Sequence, residues 1–230
     1  MTPYYDDGRG IVIYHGDCRE ILPDLPKVDL VLTDPPYGCE VKYGHSYQDT
    51  RDGYWEWFLP VVEILHRTGR VMAMTHRNES LKMICGYDWV GVWDKIGAGG
   101  MRVGNSPLIA SWEPIFFFGI HSIGVHGDGL EDVIHVRPQS SGVTRGRVGR
   151  EVWNTEANLD FHPVPKPLPL MSRLIKTLSE SDATVLDPFM GSGTTLVAAK
   201  QLGRSAIGIE IEERYCEIAV KRLSQEVLGL

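Results

Sequence analysis

A predicted buried strand, Val28–Thr33, leads directly into Asp34-Pro35-Pro36-Tyr37, and this junction constrains the fold strongly. Proline fixes the backbone and lacks an N–H, so the chain must leave the sheet there with carbonyl groups that are free to face a ligand. The Asp34 carboxylate accepts hydrogen bonds, and the Tyr37 ring offers a face to a flat heterocycle. This pattern predicts a ligand site at a strand end. The alternative is a rigid turn with a buried tyrosine.

The apolar pattern predicts strands that alternate with helices. Buried strands are predicted at 10–15, 28–33, 69–75 and 184–187, and further strands near 88–93, 112–118 and 205–211. Helices are predicted at 54–67, 79–85, 168–180, 194–202 and 212–226, with Trp55 and Trp57 in the core. Such alternation is typical of a mostly parallel α/β sheet covered by helices on both faces, in which ligands bind beyond the carboxyl ends of the strands.

A second motif, Asp187-Pro-Phe-Met-Gly-Ser-Gly-Thr-Thr195, also follows a predicted strand. A strand, a glycine-rich turn and a helix let a ligand approach backbone N–H groups. The lysine of a phosphate-binding P-loop is missing, and G-x-G-x-x-G does not fit. Glu210 ends the next strand, where an acid binds ribose hydroxyls in nucleotide-binding folds. Plain strand-to-helix packing for the glycines, and a helix N-terminal charge for Glu210, remain alternatives.

Residues 119–160 break the alternation and are rich in Gly, Ser, Arg and His, which predicts an insert that is partly disordered without a partner. Within it, 137–150 contains Arg137, Arg145, Arg147 and Arg150 and no acid, although the net charge of the chain is −7. A local basic segment on an acidic body binds phosphates, because the field is screened within about 10 Å. We therefore predict contact with nucleic acid. A solvated loop is the alternative.

Composition and residue spacing argue against a membrane protein, a secreted protein and a metal-binding protein. No apolar run approaches the length of a membrane span, and the first ten residues lack the pattern of a signal peptide, so the expected location is the cytoplasm. The four cysteines form no C-x-x-C pair, and His121, His126 and His135 have no metal-ligand spacing. No metal site is predicted.

Together these motifs resemble the β-class amino-methyltransferases of DNA, in which a D-P-P-Y motif precedes the target-recognition region and an F-x-G-x-G motif follows it. The resemblance covers about residues 10–225. It implies a circularly permuted Rossmann-like methyltransferase fold with a mostly parallel seven-stranded sheet and S-adenosylmethionine as methyl donor. It further implies a catalytic domain at 1–118 and 161–230, a target-recognition insert at 119–160, and double-stranded DNA as partner. A homodimer and a cognate restriction endonuclease are further partners that it suggests.

The resemblance also assigns roles to residues. The segment 15–18 resembles the family's G-D motif, and 162–167 resembles its H-P-x-x-K-P motif, with Val164 and Pro165 at the variable places where the family often has a small polar residue and Glu or Gln. The catalytic residues implied are Asp34, Pro35, Pro36 and Tyr37. The cofactor-binding residues implied are Asp17, Cys18, Asp34, His162, Lys166, Asp187, Phe189, Gly191, Ser192, Gly193, Thr194, Thr195 and Glu210.

The predicted chemistry is methylation of an exocyclic amine whose lone pair is delocalised into a ring. The Asp34 carboxylate and the Pro35 carbonyl would accept its two N–H bonds, and Tyr37 would stack on a base flipped out of the duplex. In the family that the chain resembles, Asp at the first place of the motif goes mostly with adenine, so the resemblance implies N6 of adenine. N4 of cytosine, an RNA base, a protein glutamine, and a non-enzymatic DNA-binding protein are the alternatives that the sequence leaves open.

Overall fold

The computed structural model describes residues 1–39, 52–96, 101–102, 109–124, 129–137 and 165–225. Its strands are β1 (Tyr5–Asp6), β2 (Ile11–His15), β3 (Val28–Thr33), β4 (Gly69–Thr75), β5 (Trp89–Asp94), β6 (Met101–Arg102), β7 (Ile109–Ala110), β8 (Trp112–Phe118), β9 (Val133–His135), β10 (Thr184–Asp187) and β11 (Ser205–Glu210). Its α-helices are α1 (Cys18–Ile21), α2 (Tyr54–Thr68), α3 (Leu168–Leu178), α4 (Thr194–Gln201) and α5 (Glu213–Ser224), with short 3-10 helices at Leu22–Asp24, Asn78–Lys82 and Ile120–Ser122.

Nine strands form one mixed sheet in the order β1-β2-β11-β10-β3-β4-β8-β5-β9, and β6 pairs with β7 separately. The five strands from β2 to β4 in that order are parallel, while β8 is antiparallel to both of its neighbours. The predicted Rossmann-like α/β class is confirmed. The predicted count of seven strands was wrong, because the short strands β1 and β9 extend the sheet at its two edges.

The strand order brings the two sequence motifs together. Strands β3 and β10 are neighbours, with Leu30 opposite Val185, so the chain leaves the sheet toward Asp34 and toward Asp187 at the same edge. Strands β2 and β11 are also neighbours, and Glu210 lies opposite His15, two residues before Asp17. All of these segments therefore converge at the carboxyl edge of the parallel strands, where ligands bind in open α/β sheets.

The core consists of two apolar layers, one on each face of the sheet. Helices α3, α4 and α5 cover one face, and α1 and α2 cover the other. Successive residues of β3 serve both layers, since Leu30 and Leu32 belong to the first and Val31 to the second, as expected of a strand buried on both faces. No helix within the described ranges is long and apolar enough to cross a membrane.

Two sequence expectations need correction. The helix predicted at 79–85 is a five-residue 3-10 helix, Asn78–Lys82. The Ser80 hydroxyl donates to the carbonyl of Arg77 at 2.5 Å, and such a side-chain hydrogen bond to the backbone competes with the α-helical pattern. Strand β9 lies inside 119–160, so part of the range assigned to an insert belongs to the main sheet. The assignment of the remaining stretch to target recognition stays a prediction, because 138–164 lies outside the described residues.

Candidate active site

A cavity of about 340 Å³ opens at the carboxyl edge of the sheet. Its volume lies in the range of small-molecule sites. Five residues predicted from sequence to bind the cofactor meet on its wall: Asp17, Cys18, Asp34, Phe189 and Glu210. The other lining residues are Gly16, Arg19, Pro36, Trp57, Pro188, Ile211, Glu212 and Tyr215.

The cavity wall is acidic. Four carboxylates line it, those of Asp17, Asp34, Glu210 and Glu212, against the single guanidinium of Arg19. Arg19 Nη2 is already paired with Asp17 Oδ2 at 2.5 Å. Hydrogen bonds from the Arg19 side chain lower the pKa of Asp17, although burial opposes this shift. The remaining negative charge favours a ligand that carries a positive charge.

Glu210 joins the cavity to the glycine turn. Its Oε2 accepts a hydrogen bond from the backbone N–H of Gly191, and its Oε1 accepts one from the N–H of Glu212, both at 2.9 Å. Burial raises the pKa of Glu210 to about 7, and these backbone hydrogen bonds offset part of that rise. The acid predicted to bind ribose thus lies on the wall, and it also fixes the turn that follows β10.

A smaller cavity, of about 30 Å³, shares part of its lining with the first. Asp34 and Phe189 line both cavities. The predicted cofactor residues that line only the smaller one are Lys166, Asp187, Gly191, Ser192, Thr194 and Thr195. Gly193 lines neither of the two. It precedes α4 with a φ of 80°, and a Cβ there would lie 2.8 Å from the Cβ of Ala219 on α5.

Asp187 holds the ends of two elements together. Its buried carboxylate accepts hydrogen bonds from the hydroxyls of Thr33 and Thr195, at 2.8 and 2.6 Å. The N–H of Phe189 donates to the same group at 3.2 Å. Burial raises the pKa of Asp187 to about 6, and the two threonine hydrogen bonds oppose that shift. The end of β3 is therefore tied to the start of α4.

Asp34 is surrounded by donors. Its Oδ1 accepts from the hydroxyls of Tyr37 and Thr75, both at 2.6 Å, and its Oδ2 lies 2.8 Å from Lys166 Nζ. A carboxylate offers about four acceptor positions. These three contacts leave acceptor capacity on Oδ2, the oxygen that Lys166 approaches. A further donor that enters from the cavity would bind there.

Tyr37 is held both by its hydroxyl and by its ring. The hydroxyl donates to Asp34 and accepts a hydrogen bond from Lys166 Nζ at 2.9 Å. Its ring stacks on His76, with the centroids 4.7 Å apart and the planes 23° apart. Burial, together with the charges of Asp34 and Glu113, raises the pKa of Tyr37 well above its ordinary value. The phenol therefore stays neutral and keeps its proton for Asp34.

A buried pair behind Tyr37 fixes the proline turn. The Tyr54 hydroxyl donates to the carbonyl of Pro36 at 2.6 Å and lies 2.7 Å from His76 Nε2. His76 Nδ1 accepts from the N–H of Arg77 at 2.9 Å, which assigns the ring proton to Nε2. Burial, with the charges of Arg77 and Lys166, lowers the pKa of His76 to about 3. The imidazole is therefore neutral.

Several residues of this site were not singled out by sequence reasoning. Thr33, Thr75 and His76 each stand at the carboxyl end of a parallel strand, a position that was available as a signal. Glu113 is a lone charged residue in the apolar strand β8. Trp57 was expected in the core; it is partly buried and packs against the apolar layer, and its ring also lines the cavity and lies edge-to-face on Phe189 at 6.0 Å.

The structure describes one of the four arginines that were predicted to contact DNA. Arg145, Arg147 and Arg150 lie outside the described residues, as does His162 of the predicted cofactor set. Arg137 is exposed and follows the end of β9 by two residues. Because β9 and β5 are parallel and β8 reverses between β5 and β4, the end of β9 lies at the same edge of the sheet as the cavity.

An acid-lined cavity between two strand-end motifs, in which the D-P-P-Y turn precedes the glycine turn in the chain, defines the class of Rossmann-like methyltransferases with permuted motif order. Comparisons with known proteins agree. Residues 110–221 match the DNA methylase family of the N6/N4 type. Within this segment, which is just under half of the chain, the sequence is similar to DNA methylases of the N6/N4 type.

Individual relatives extend the match over the whole chain. The sequence is 28% identical to the Type II methyltransferase M.ScaI of Streptomyces caespitosus, covering 99% of this chain and 86% of that protein. The fold is similar to that of an M1.HpyAVI–SAM complex, with a TM-score of 0.62, 25% identity, and 93% and 100% of the two chains covered. It is also similar in fold to the cytosine-N4-specific PvuII DNA methyltransferase, with a TM-score of 0.66, 18% identity, and 96% and 88% covered.

Proposed function

We propose that this chain is a site-specific DNA methyltransferase that transfers a methyl group from S-adenosylmethionine to N6 of an adenine flipped out of double-stranded DNA. One observation carries the proposal: Asp34 of the proline turn lies on the wall of the acidic cavity and keeps acceptor capacity on Oδ2. An amine acceptor therefore lies against the proposed cofactor site. The match of residues 110–221 to a DNA methylase family supports DNA as the substrate.

The residues present suit the cofactor, which when bound supplies an electrophilic methyl group on a sulfonium. The acidic wall complements that positive charge. Glu210 would accept from the ribose hydroxyls, and Asp17 with the N–H of Cys18 would contact the adenine ring. Phe189, shared by both cavities, would pack on the ligand. The similar M1.HpyAVI structure is a complex with the same molecule.

The proline turn would prepare the target amine. Asp34 Oδ2 and the Pro35 carbonyl oxygen accept its two N–H bonds, which turns the nitrogen lone pair away from the ring. Within the described residues the Pro35 carbonyl has no hydrogen-bond donor, so it is available for this role. After methyl transfer the nitrogen is positively charged and loses its proton readily. A strong general base is therefore not required.

The base and the DNA backbone would be held by other groups. One face of the Tyr37 ring is covered by His76, and the flipped base would stack on the opposite face. Arg137, with Arg145, Arg147 and Arg150 beyond it, would contact phosphates and base edges next to this site. We place this activity in the cytoplasm, with a homodimer and a cognate restriction endonuclease as further proposed partners.

N4 of cytosine is the second candidate, because the fold is shared with a cytosine-N4-specific enzyme. The two acceptors at Asp34 and Pro35 suit an exocyclic amine of either base. The aspartate at the first motif position favours adenine. An RNA base or a protein amide would meet the same acceptors, and only product analysis distinguishes these substrates.

The test is transfer of labelled methyl groups from S-adenosylmethionine to plasmid DNA, followed by digestion and chromatography of the nucleosides. We expect N6-methyladenine from the wild type. Asp34→Ala should lower the rate by about 10²-fold or more, as for loss of a group that stabilises developing charge. Asp182→Ala changes an aspartate in an exposed turn and serves as the matched control. Near wild-type turnover of Asp34→Ala would overturn the assigned mechanism.

A further inference from the structure

Glu113 is a charged residue in an otherwise apolar strand, and no sequence motif includes it. Its side chain is 15% exposed and sits between two lysines. Oε1 lies 2.6 Å from Lys95 Nζ, and Oε2 lies 3.2 Å from Lys166 Nζ. The hydroxyl of Tyr37 also lies 3.1 Å from Oε2. Glu113 therefore reaches the proline turn from β8, although it is far from that turn in the sequence.

Lys166 is the link between Glu113 and Asp34. Its Nζ lies 2.8 Å from Asp34 Oδ2, 2.9 Å from the Tyr37 hydroxyl and 3.2 Å from Glu113 Oε2. An ammonium group donates hydrogen bonds and accepts none, and these contacts satisfy each of its N–H groups. Its side chain is only 5% exposed. A charge buried this deeply requires such partners.

The position of Lys166 poses a problem for the proposed reaction. Positive charge develops on the target nitrogen as the methyl group is transferred, and a carboxylate that faces it stabilises that charge. An ammonium at 2.8 Å from the same carboxylate opposes this effect. With Lys166 as its only partner, Asp34 would present a neutral pair to the reacting amine. A second carboxylate beside Lys166 shares that ammonium with Asp34, so less of its positive charge acts on Oδ2, although Lys95 on the other oxygen of Glu113 makes the group of four neutral overall.

We propose that Glu113 is a positioning residue of the methyl-transfer site, which holds and balances the Lys166 ammonium so that Asp34 Oδ2 keeps its negative charge toward the target amine. This role rests on the proposed function and deepens it. Lys166 acts as the bridge that also fixes the Tyr37 hydroxyl. Lys95 binds the other oxygen of Glu113 and holds the carboxylate in place.

The pKa shifts of Glu113 and Lys166 agree with this geometry. Burial disfavours the charged form of Glu113, but Lys166 and Lys95 outweigh it and lower the pKa of the carboxyl. Burial also disfavours the charged form of Lys166, and Asp34 with Glu113 outweighs it and raises the pKa of the ammonium. Both groups are therefore charged near neutral pH. Glu113 lines neither described cavity, and Lys166, which it contacts, lines only the smaller one, so the larger cavity proposed for S-adenosylmethionine keeps its lining when Glu113 is changed.

The experiment uses the full chain and asks whether the charge or the shape of the Glu113 side chain determines the methyl-transfer rate. Glu113→Gln keeps the shape and removes the charge, whereas Glu113→Asp keeps the charge on a shorter side chain. We expect the single-turnover rate, at saturating DNA and S-adenosylmethionine, to fall about tenfold to a hundredfold in Glu113→Gln, the range seen for groups that orient ligands in metal sites. Glu113→Asp should be faster than Glu113→Gln. The dissociation constant for S-adenosylmethionine, by calorimetry, should match the wild type in both.

A second arm tests whether Glu113 acts through Lys166. In a Lys166→Met background, Glu113→Gln should lower the rate by a much smaller factor than in the wild type, because the ammonium that it balances is gone. Glu131→Gln, at an exposed carboxylate 3.7 Å from Arg173, is the matched control.

The outcomes separate the two claims. A wild-type rate for Glu113→Gln, a Glu113→Asp variant slower than Glu113→Gln, or an equal loss in the Lys166→Met background each overturns the role of Glu113 while the wild type still methylates DNA. A wild type that transfers no methyl group to DNA instead overturns the proposed function, and this role with it.

Discussion

His76, which lies behind the proline turn, carries no charge, and its surroundings in the fold keep it neutral. His76 is fully buried between the Tyr37 ring and the Tyr54 hydroxyl, and both of its ring nitrogens are hydrogen-bonded. Protonation would place a second donor against the N–H of Arg77. It would also add a cation near Lys166. The folded protein therefore resists protonation of this side chain.

This resistance predicts a pH dependence of stability. The pKa of His76 is about 3 in the folded protein, whereas the unfolded chain takes up the proton near 6.5. Below pH 6.5 the unfolded state thus binds more protons, and the free energy of unfolding falls as pH decreases toward 3, by at most about 1.4 kcal/mol per pH unit. His76→Gln removes this contribution. The stability difference between the wild type and His76→Gln should therefore shrink as pH falls from 7 to 5.

Urea unfolding at pH 7, 6 and 5 measures that difference. Asp187 and Glu210, whose pKa values are raised, act in the opposite direction in this window but are present in both proteins, so they cancel. His121→Gln, at an exposed position, shows what the same substitution does elsewhere. A difference between the wild type and His76→Gln that stays constant with pH would contradict the assigned neutrality.

At this scale, the sequence itself predicted site residues that follow parallel strands, and the family resemblance added Lys166, which contacts Asp34. Asp17, Asp34 and Glu210 were found because each lies at or just beyond a strand end, and such ends converge in an α/β sheet. Glu113 was missed because it lies on an antiparallel strand, and only the pairing of β8 with β4 brings it to the same edge. That pairing has no local sequence signature.

At the scale of elements, the glycine turn shows how backbone packing shapes the site. Gly193 has a left-handed φ of 80° and lies against Ala219 of α5. Arg222, on the same helix, donates to the carbonyl of Ser192 at 2.6 Å. Helix α5 thus holds the turn through its contacts with Gly193 and Ser192. The sequence predicted a cofactor role for Gly193, and the structure shows a close approach of two elements that would by itself require glycine.

Two glycine substitutions separate the cost of a left-handed backbone from the cost of the close contact with α5. Gly203 has a similar φ of 74°, but nothing lies within 4 Å of a Cβ placed there. Gly203→Ala should therefore lose about 1–2 kcal/mol of unfolding free energy, the cost of a left-handed alanine. Gly193→Ala should lose about 1–3 kcal/mol more, because its methyl group also meets Ala219. Chemical denaturation of both variants tests this, and equal losses would show that the contact with α5 is not tight.

Elements with strong apolar patterns were predicted to within a few residues, such as β3, β4 and β10. The edge strands β1 and β9 were not. Two or three residues are too few to display a period, and their extended conformation depends on pairing with β2 and β5. The 3-10 helix at Asn78–Lys82 was predicted as an α-helix for the same reason: apolar spacing over one turn does not distinguish the two.

At the scale of the whole molecule, the fold brings together segments that are distant in the chain. Residues near 17, 34, 166, 189 and 210 surround one acidic cavity with its smaller neighbour. Charge is distributed to match, with carboxylates around the cavity and Arg137 exposed at the same edge of the sheet. This arrangement suits a cationic cofactor inside and a polyanion outside, and it underlies the proposal of a DNA methyltransferase.

The most direct test of that proposal is modification-sensitive sequencing of a plasmid that has been propagated in cells expressing the chain. We predict methylated adenine, at N6, at every copy of one short recognition sequence, and none when Asp34→Ala replaces the wild type. Methylation of cytosine alone would contradict the assignment to adenine and leave a DNA methyltransferase. Unmodified DNA in the presence of folded protein that binds S-adenosylmethionine would contradict the central claim itself.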